Sequence, residues 1–308
     1  YRFYAMRFAP VAVFVYNRKY LLEQTIQSLG QNAEAADTDL YIFSDGWKDE
    51  KDKPGVVEVR KYIHSISGFK SVSIKESPEN KGLGKSIIAG VDEMINKFGE
   101  VIVLEDDLLL SPYFLKYMND GLNLYRNSDK VASIHAYMYP TESKLPETFF
   151  IKGADCLGWG TWARAWNLFE KDPKKLYDTL VDSKQMDEFN FNGVAFKEGI
   201  FKKLMSGRND SWAVRWDASV FLANKLTLYP GKSLVHHLGA DGAGTNTGKT
   251  KKLDVVLNIN PVNLQKIDEI PSPEGYLAIG KFYLSFKSYN PMKRLIFFLK
   301  SKNMIPRR

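Results

Sequence analysis

Residues 100–107 read EVIVLEDD: four apolar residues in a row, closed by three consecutive carboxylates. An unbroken Val/Ile/Leu run of this length predicts a strand covered on both faces, as in a parallel sheet. The acids cannot belong to that covered part, so they mark the end of the strand. Working outward, KSIIAGVDEMINKFG (85–99) has the apolar face of a helix, and KSVSIKES (70–77) alternates as a strand. VEVRKYIHSI (57–66) predicts a helix and DLYIFSDG (39–46) a strand ending in Ser-Asp-Gly. VAVFVY (11–16) is a second buried strand. Asn17 stands after it as a plausible N-cap, Leu21, Leu22, Ile26 and Leu29 form a helix stripe, and Gly30 ends it. Downstream, Ser111-Pro112 predicts a helix with Pro at its first position, and KVASIHAYMY (130–139) a further strand.

Strand and helix thus alternate through residue 139. The expected fold class is α/β, a mostly parallel sheet flanked by helices. Ligands of such sheets bind beyond the carboxyl ends of the strands. Asn17, Arg18, Ser44, Asp45, Asn80 and Glu105 to Asp107 all fall at those ends and should gather along one rim. After residue 150 the pattern loosens. CLGWGTWARAW (156–166) is rich in Gly and Trp, residues 173–206 read as polar helix, and residues 211–230 as a helix followed by a short strand.

Composition bounds the function. The chain has 308 residues, 44% hydrophobic and 26% charged, an ordinary globular balance. Aromatics reach 13%, with six Trp, and serve packing more often than sugar-binding grooves. The net charge of +7 favours anionic partners. The basic residues are spread along the chain and crowd somewhat in MKRLIFFLKSKNMIPRR (292–308). No zinc-finger spacing or RNA-binding aromatic signature appears, so no nucleic-acid partner is expected. A lone cysteine, Cys156, excludes an internal disulfide and a thiolate metal cluster, and suits a reducing, cytoplasmic setting. No run of 18 apolar residues and no signal peptide is visible. Position alone suggests Met6 as the natural start, with residues 1–5 added ahead of it.

The segment ENKGLGKS (79–86) ends like a phosphate-binding P-loop, but the glycine that motif needs five positions before its last one is replaced by Glu79. Three carboxylates at Glu105 to Asp107 repel one another unless a cation joins them. Hard oxygen ligands of this kind suit Mg²⁺ or Mn²⁺ held against a diphosphate. The competing reading is a solvated turn that caps the next helix.

These motifs together resemble the GT-A class of nucleotide-sugar glycosyltransferases. LEDDLLLSPYFLKYM is similar to the acidic motif of the N-acetylglucosaminyltransferase I family, a Glu-Asp-Asp variant of Asp-x-Asp. The chain also resembles bacterial GT-A transferases grouped loosely with the family-2 enzymes. The likeness runs from about Pro10 to Gly248 through VYNR, SDG, ENKGLGKSI, LEDD, LGWGTW, NDSWAVRW and LGADGAGT. It implies one GT-A catalytic domain, with a donor half at 6–150 and an acceptor half at 151–308. It implies a nucleotide-sugar donor, UDP-linked by expectation, and a glycan or lipid-linked glycan acceptor, in bacterial surface polysaccharide synthesis. A sugar nucleotidyltransferase and a non-catalytic sugar-binding protein are the alternatives. YNRKY, where a nucleotidyltransferase carries a Gly-rich loop, counts against the first.

The resemblance also assigns roles. Asn17 and Arg18 lie where base and phosphates should sit, and Asp45 accepts from uracil or ribose. Asn80 and Gly82 lie beside the sugar nucleotide, and Lys85 faces the diphosphate or is a solvated first-turn lysine. Asp107 contacts the metal. Asp106 and Glu105 bind metal, ribose or sugar hydroxyls. His236 or His237 adds a second ligand, His237 being preferred. Asp210 is the base of an inverting displacement, with Asp217 the runner-up, or else Asp210 caps the next helix. Trp159 and Trp162 form a wall for sugar faces or part of the core. GADGAGTNTG (239–248) is a lid, and the basic C-terminal stretch lies on the inner face of the cell membrane or is an ordinary surface helix.

Overall fold

The computed structural model describes residues 8–239, 250–286 and 291–302. Met6 and all but the first residue of the expected lid fall outside them. Val11–Val15 forms β1. Val11, Val13 and Val15 join a core with Leu22, Ile26 and Leu29, while Ala12 and Phe14 join a second core with Ile87, Val91 and Met94. Both faces are covered, so the strand carries no polar alternation.

After β1 come α1 (Lys19–Gly30), β2 (Asp39–Ser44), α2 (Lys53–Ile63), β3 (Ser71–Glu76), α3 (Leu83–Phe98) and β4 (Glu100–Glu105). Next are β5 (Leu108–Leu110), α4 (Phe114–Leu124), β6 (Val131–His135), β7 (Thr148–Lys152) and β8 (Trp159–Trp162). The helices α5 (Ala163–Trp166), α6 (Pro173–Asp182), α7 (Met186–Phe189), α8 (Lys197–Met205) and α9 (Trp212–Leu222) follow. The described chain closes with β9 (Leu226–Pro230), β10 (Val235–His237), α10 (Pro273–Phe286) and α11 (Pro291–Lys302).

Eight strands form one sheet in the order β3-β2-β1-β4-β8-β6-β9-β7. Six run in one direction, and β8 and β7 run against them. The architecture is the expected mostly parallel sheet flanked by helices. β1 pairs in parallel with β2 on one side and β4 on the other, so the strand order reverses between β1 and β4. A crevice opens beyond the strand ends at such a reversal.

Three local readings need correction. First, β7 and β8 were not expected. Residue 150 lies inside β7, and β8 from the second half sits between β4 and β6, so both halves share one sheet. Second, α4 starts at Phe114, not at Pro112: Ser111 Oγ accepts the Tyr113 N–H at 3.1 Å and Asn32 Oδ1 the Leu115 N–H at 2.8 Å. These two acceptors fix the start that sequence placed on proline. Third, Asn17 caps nothing. Arg18 holds the N-cap position of α1, and the Asn17 amide donates to Asp52 at 3.4 Å.

Candidate active site

The crevice between the ends of β1 and β4 is where charge concentrates. Arg18 follows β1, and Asp106 and Asp107 follow β4. One guanidinium nitrogen, Arg18 Nη2, donates to Asp106 Oδ1 at 2.5 Å and to Asp107 Oδ2 at 2.8 Å. The Tyr16 N–H adds a bond to Asp106 Oδ2 at 3.3 Å. Arg18 Nη1 is buried beside them with no hydrogen-bond partner among the described residues. Burial and the charges of Asp107 and Asp106 push Glu105 up to about 8. Burial also pushes Asp106 up to about 6, against the pull of Arg18. Asp107 differs: burial would raise it, but His237 and Arg18 outweigh that and hold it below the ordinary carboxylate range.

His237 arrives through a pairing that sequence did not suggest. β10 runs antiparallel to the three-residue β5, with His237 opposite Leu108. Its Nε2 lies 3.5 Å from Asp107 Oδ2. Adjacent strand residues point to opposite sides. His236 accordingly faces elsewhere, its Nδ1 at 3.1 Å from the Val255 carbonyl. Gly239 completes this corner: an added Cβ would stand 2.1 Å from Asp107 Oδ2 and 2.9 Å from His237 Nε2, so a larger residue would push those side chains from their places. Among the described residues no three His, Cys, Asp or Glu side chains converge as a metal group. The protein ligands offered are two, a carboxylate oxygen and an imidazole nitrogen. Two donors about 2.1 Å from one octahedral ion stand about 3 Å apart, so this pair needs little movement to share a divalent cation.

The rim continues at the segment that resembles a P-loop. Asp45 Oδ1 accepts from Gly46 N–H at 3.0 Å and Lys81 N–H at 2.9 Å, and Oδ2 from Gly82 N–H at 2.9 Å. Asn80 Nδ2 donates to the Gly46 carbonyl at 2.7 Å. Asp45 and Asn80 therefore clamp this loop to the end of β2. Gly82, with φ +79°, turns the chain into α3. At Gly84, in the first turn, a Cβ would meet the Asp210 carbonyl at 2.4 Å and its Oδ2 at 2.6 Å. At Gly84 the glycine provides close approach of the loop to Asp210. Lys85 lies exposed on the same turn.

Asp210 is half-exposed, with Oδ1 3.4 Å from Arg215 Nη2. It does not cap α9; Ser211 does, through Oγ to the Val214 N–H at 3.4 Å. Arg215, which sequence reasoning missed, is anchored by the Ser211 and Lys171 carbonyls. Three expected residues are placed otherwise. Trp159 is 0% exposed, stacked on Trp212 at 5.3 Å among Trp166 and Trp216, and offers no face to a sugar. Trp162 is buried too, its indole N–H on the Leu122 carbonyl. Both belong to β8, which is covered on each side. Asp217 is also buried, bound to Lys197 at 2.6 Å and to the Ala154 N–H at 3.0 Å. Its oxygens are taken up inside a cavity of about 40 Å³, lined also by Asp155, Tyr139 and Tyr283, so it is not a base for an incoming hydroxyl.

No protein-family model matches this chain, and no curated protein matches it. Solved structures with similar layout include TarS of S. aureus, 13% identical over 75% of this chain and 37% of that one, with a TM-score of 0.39. Mannosyltransferase PcManGT from Pyrobaculum calidifontis, in complex with GDP-Man and Mn²⁺, is 15% identical over 45% of this chain and 37% of its own, at 0.33. Glucosyl-3-phosphoglycerate synthase from Mycobacterium tuberculosis, in complex with Mn²⁺, UDP and glucosyl-3-phosphoglycerate, is 12% identical over 53% and 58%, at 0.32. The chain thus spans between 37% and 58% of the length of these structures.

Proposed function

We propose that this chain is a metal-dependent GT-A glycosyltransferase. It moves a sugar from a nucleotide diphosphate, UDP first among the candidates, to a hydroxyl of a glycan or lipid-linked glycan, with inversion. The setting proposed is bacterial surface polysaccharide assembly, at the inner face of the membrane. The observation that carries the reading is the meeting of Arg18, Asp106, Asp107 and His237 where the strand order reverses.

Each residue has work that its surroundings permit. Arg18 Nη1, a buried donor with no partner among the described residues, suits a diphosphate oxygen, since an unanswered buried donor is costly. Asp107 and His237 are the residues that would hold the cation, and an imidazole beside a carboxylate suits Mn²⁺ better than Mg²⁺. The cation supplies charge neutralisation for the leaving diphosphate. Asp210 acts as general base, with Arg215 fixing Oδ1. The acceptor oxygen bonds to the anomeric carbon as the carbon–oxygen bond to the diphosphate breaks. The electron pair leaves with the diphosphate, and the hydroxyl proton passes to the Asp210 carboxylate. Asp45 and Asn80 hold the loop that brings Gly82 and Gly84 against Asp210.

The test has two parts. Calorimetric titration of UDP, GDP and CDP, with and without Mn²⁺, should give one nucleotide that binds only with metal, and Asp107→Asn should abolish that binding. Asp210→Asn should keep donor binding and lose transfer by at least about a hundredfold, the scale of general-base catalysis. Full turnover in Asp210→Asn would remove the base from the reading. Absence of metal-dependent binding for all three nucleotides would return the chain to sugar binding without catalysis.

A further inference from the structure

The last described helix packs on α10 through one face and touches the 186–199 segment at its edge, where Lys300 pairs with Asp187 and Ile296 lines a cavity of about 690 Å³. On α11, Phe297 is fully buried against α10, so close that a Cβ at Gly280 would stand 2.2 Å from its ring. Ser301 is buried beside it, with Oγ on the Phe297 carbonyl at 2.7 Å. The other side carries Met292, Leu295, Ile296 and Leu299, exposed by 63%, 52%, 40% and 54%. Their spacing of i, i+3, i+4 and i+7 makes one continuous apolar stripe. Lone exposed apolar residues need no explanation, but a stripe of four does.

Charge adds a second, independent observation. Residues 287–308 contain seven of the chain's 43 lysines and arginines and none of its 36 acids. The other 36 cations balance the acids, so the whole net charge of +7 belongs to the segment that carries the stripe. Arg294 is exposed, and Lys300 is paired with Asp187. A soluble polyanion would answer the charge and leave the stripe wet. An apolar groove on a protein would answer the stripe and gain nothing from a segment with seven cations and no acid. The interface of an anionic bilayer answers both at once. Among the described residues no helix is long and apolar enough to cross a membrane.

We infer that α11 is a docking surface for an anionic lipid bilayer. It lies in the plane of the interface, with Met292, Leu295, Ile296 and Leu299 in the acyl boundary and Arg294 at the level of the headgroups. The inference stands whether or not the chain is a transferase.

Flotation of the full chain with vesicles tests it. Phosphatidylcholine vesicles containing phosphatidylglycerol should bind the protein at least about tenfold more tightly than phosphatidylcholine alone. The double variant Leu295→Asp/Leu299→Asp should lose at least about tenfold in binding while its circular dichroism stays unchanged, since both positions are exposed. Met292→Gln/Leu299→Gln, which adds no charge, should weaken binding in the same direction. Wild-type binding by both variants would overturn the inference, because it would mean adsorption by charge alone. So would failure to bind the anionic vesicles. A wild-type dimer in sedimentation velocity that Leu295→Asp/Leu299→Asp converts to monomer, without lipid binding, would give the stripe to a second copy of this chain.

Discussion

Asp45 carries two readings that one substitution separates. Its place in Ser-Asp-Gly at a strand end suggests a ligand contact. Its carboxylate, however, already receives N–H groups from Gly46, Lys81 and Gly82. An acid that satisfies the backbone donors ahead of a helix is worth about 1–2 kcal/mol. Asp45→Ala should therefore destabilise the protein by about 2 kcal/mol in urea unfolding and weaken nucleotide binding through loss of the loop. Unchanged stability with lost binding would make Asp45 a ligand contact alone. The residue was visible in sequence and its partner was not, because the loop it clamps belongs to the far end of the next strand. Gly84 and Gly239 were hidden likewise. Sequence marks a glycine, but the side chain it makes room for, Asp210 or Asp107, comes from elsewhere in the chain.

At the scale of elements, α9 shows a charge pair inside the fold. Asp217 is bound to Lys197 between α9 and α8, and Lys197 stands over the rings of Phe189 and Phe191. Burial raises the Asp217 pKa even against that lysine. A carboxyl raised on folding favours the native state most below its unfolded pKa, and that contribution is lost as pH rises through the folded value. At neutral pH the pair must then be judged as a pair. Asp217→Asn should cost about 3–5 kcal/mol, because it leaves Lys197 buried without its counter-charge. Asp217→Asn/Lys197→Met should recover most of that loss in thermal melts. Loss of turnover at full stability in Asp217→Asn would instead restore it as a base. β1 and β4 were legible because each is an unbroken apolar run, and α3 because sixteen residues show the apolar face of a helix. β5 and β8 were not. Leu-Leu-Leu and Trp-Gly-Thr-Trp are too short to show a period, and each is a strand only because a distant partner pairs with it. His237 reaches Asp107 through one of those pairings.

At the scale of the whole molecule, the candidate site joins segments that the sequence keeps far apart. Arg18 comes from the end of β1, Asp106 and Asp107 from β4, and His237 and Gly239 from the end of β10. A ligand bound there would brace the ends of β1, β4 and β10 against one another, and mass action then reads the site out in global stability. At a hundredfold excess over its Kd, a ligand specific to the folded state adds about 2.7 kcal/mol. For a chain of this size that is a rise in Tm of several degrees, at about 2–4 °C per kcal/mol. The nucleotide and Mn²⁺ together should give this shift, while either alone gives less than their joint effect, because each supplies ligands that the other needs. Asp107→Asn should abolish the excess of the joint shift, and should also lower the ligand-free melt, because it removes one of the two buried counter-charges of Arg18. If the nucleotide alone raised Tm as far as the pair does, Arg18 would be holding the diphosphate without a cation. The acidic strand end would then be a counter-charge for that arginine, a role its two short bonds already fill.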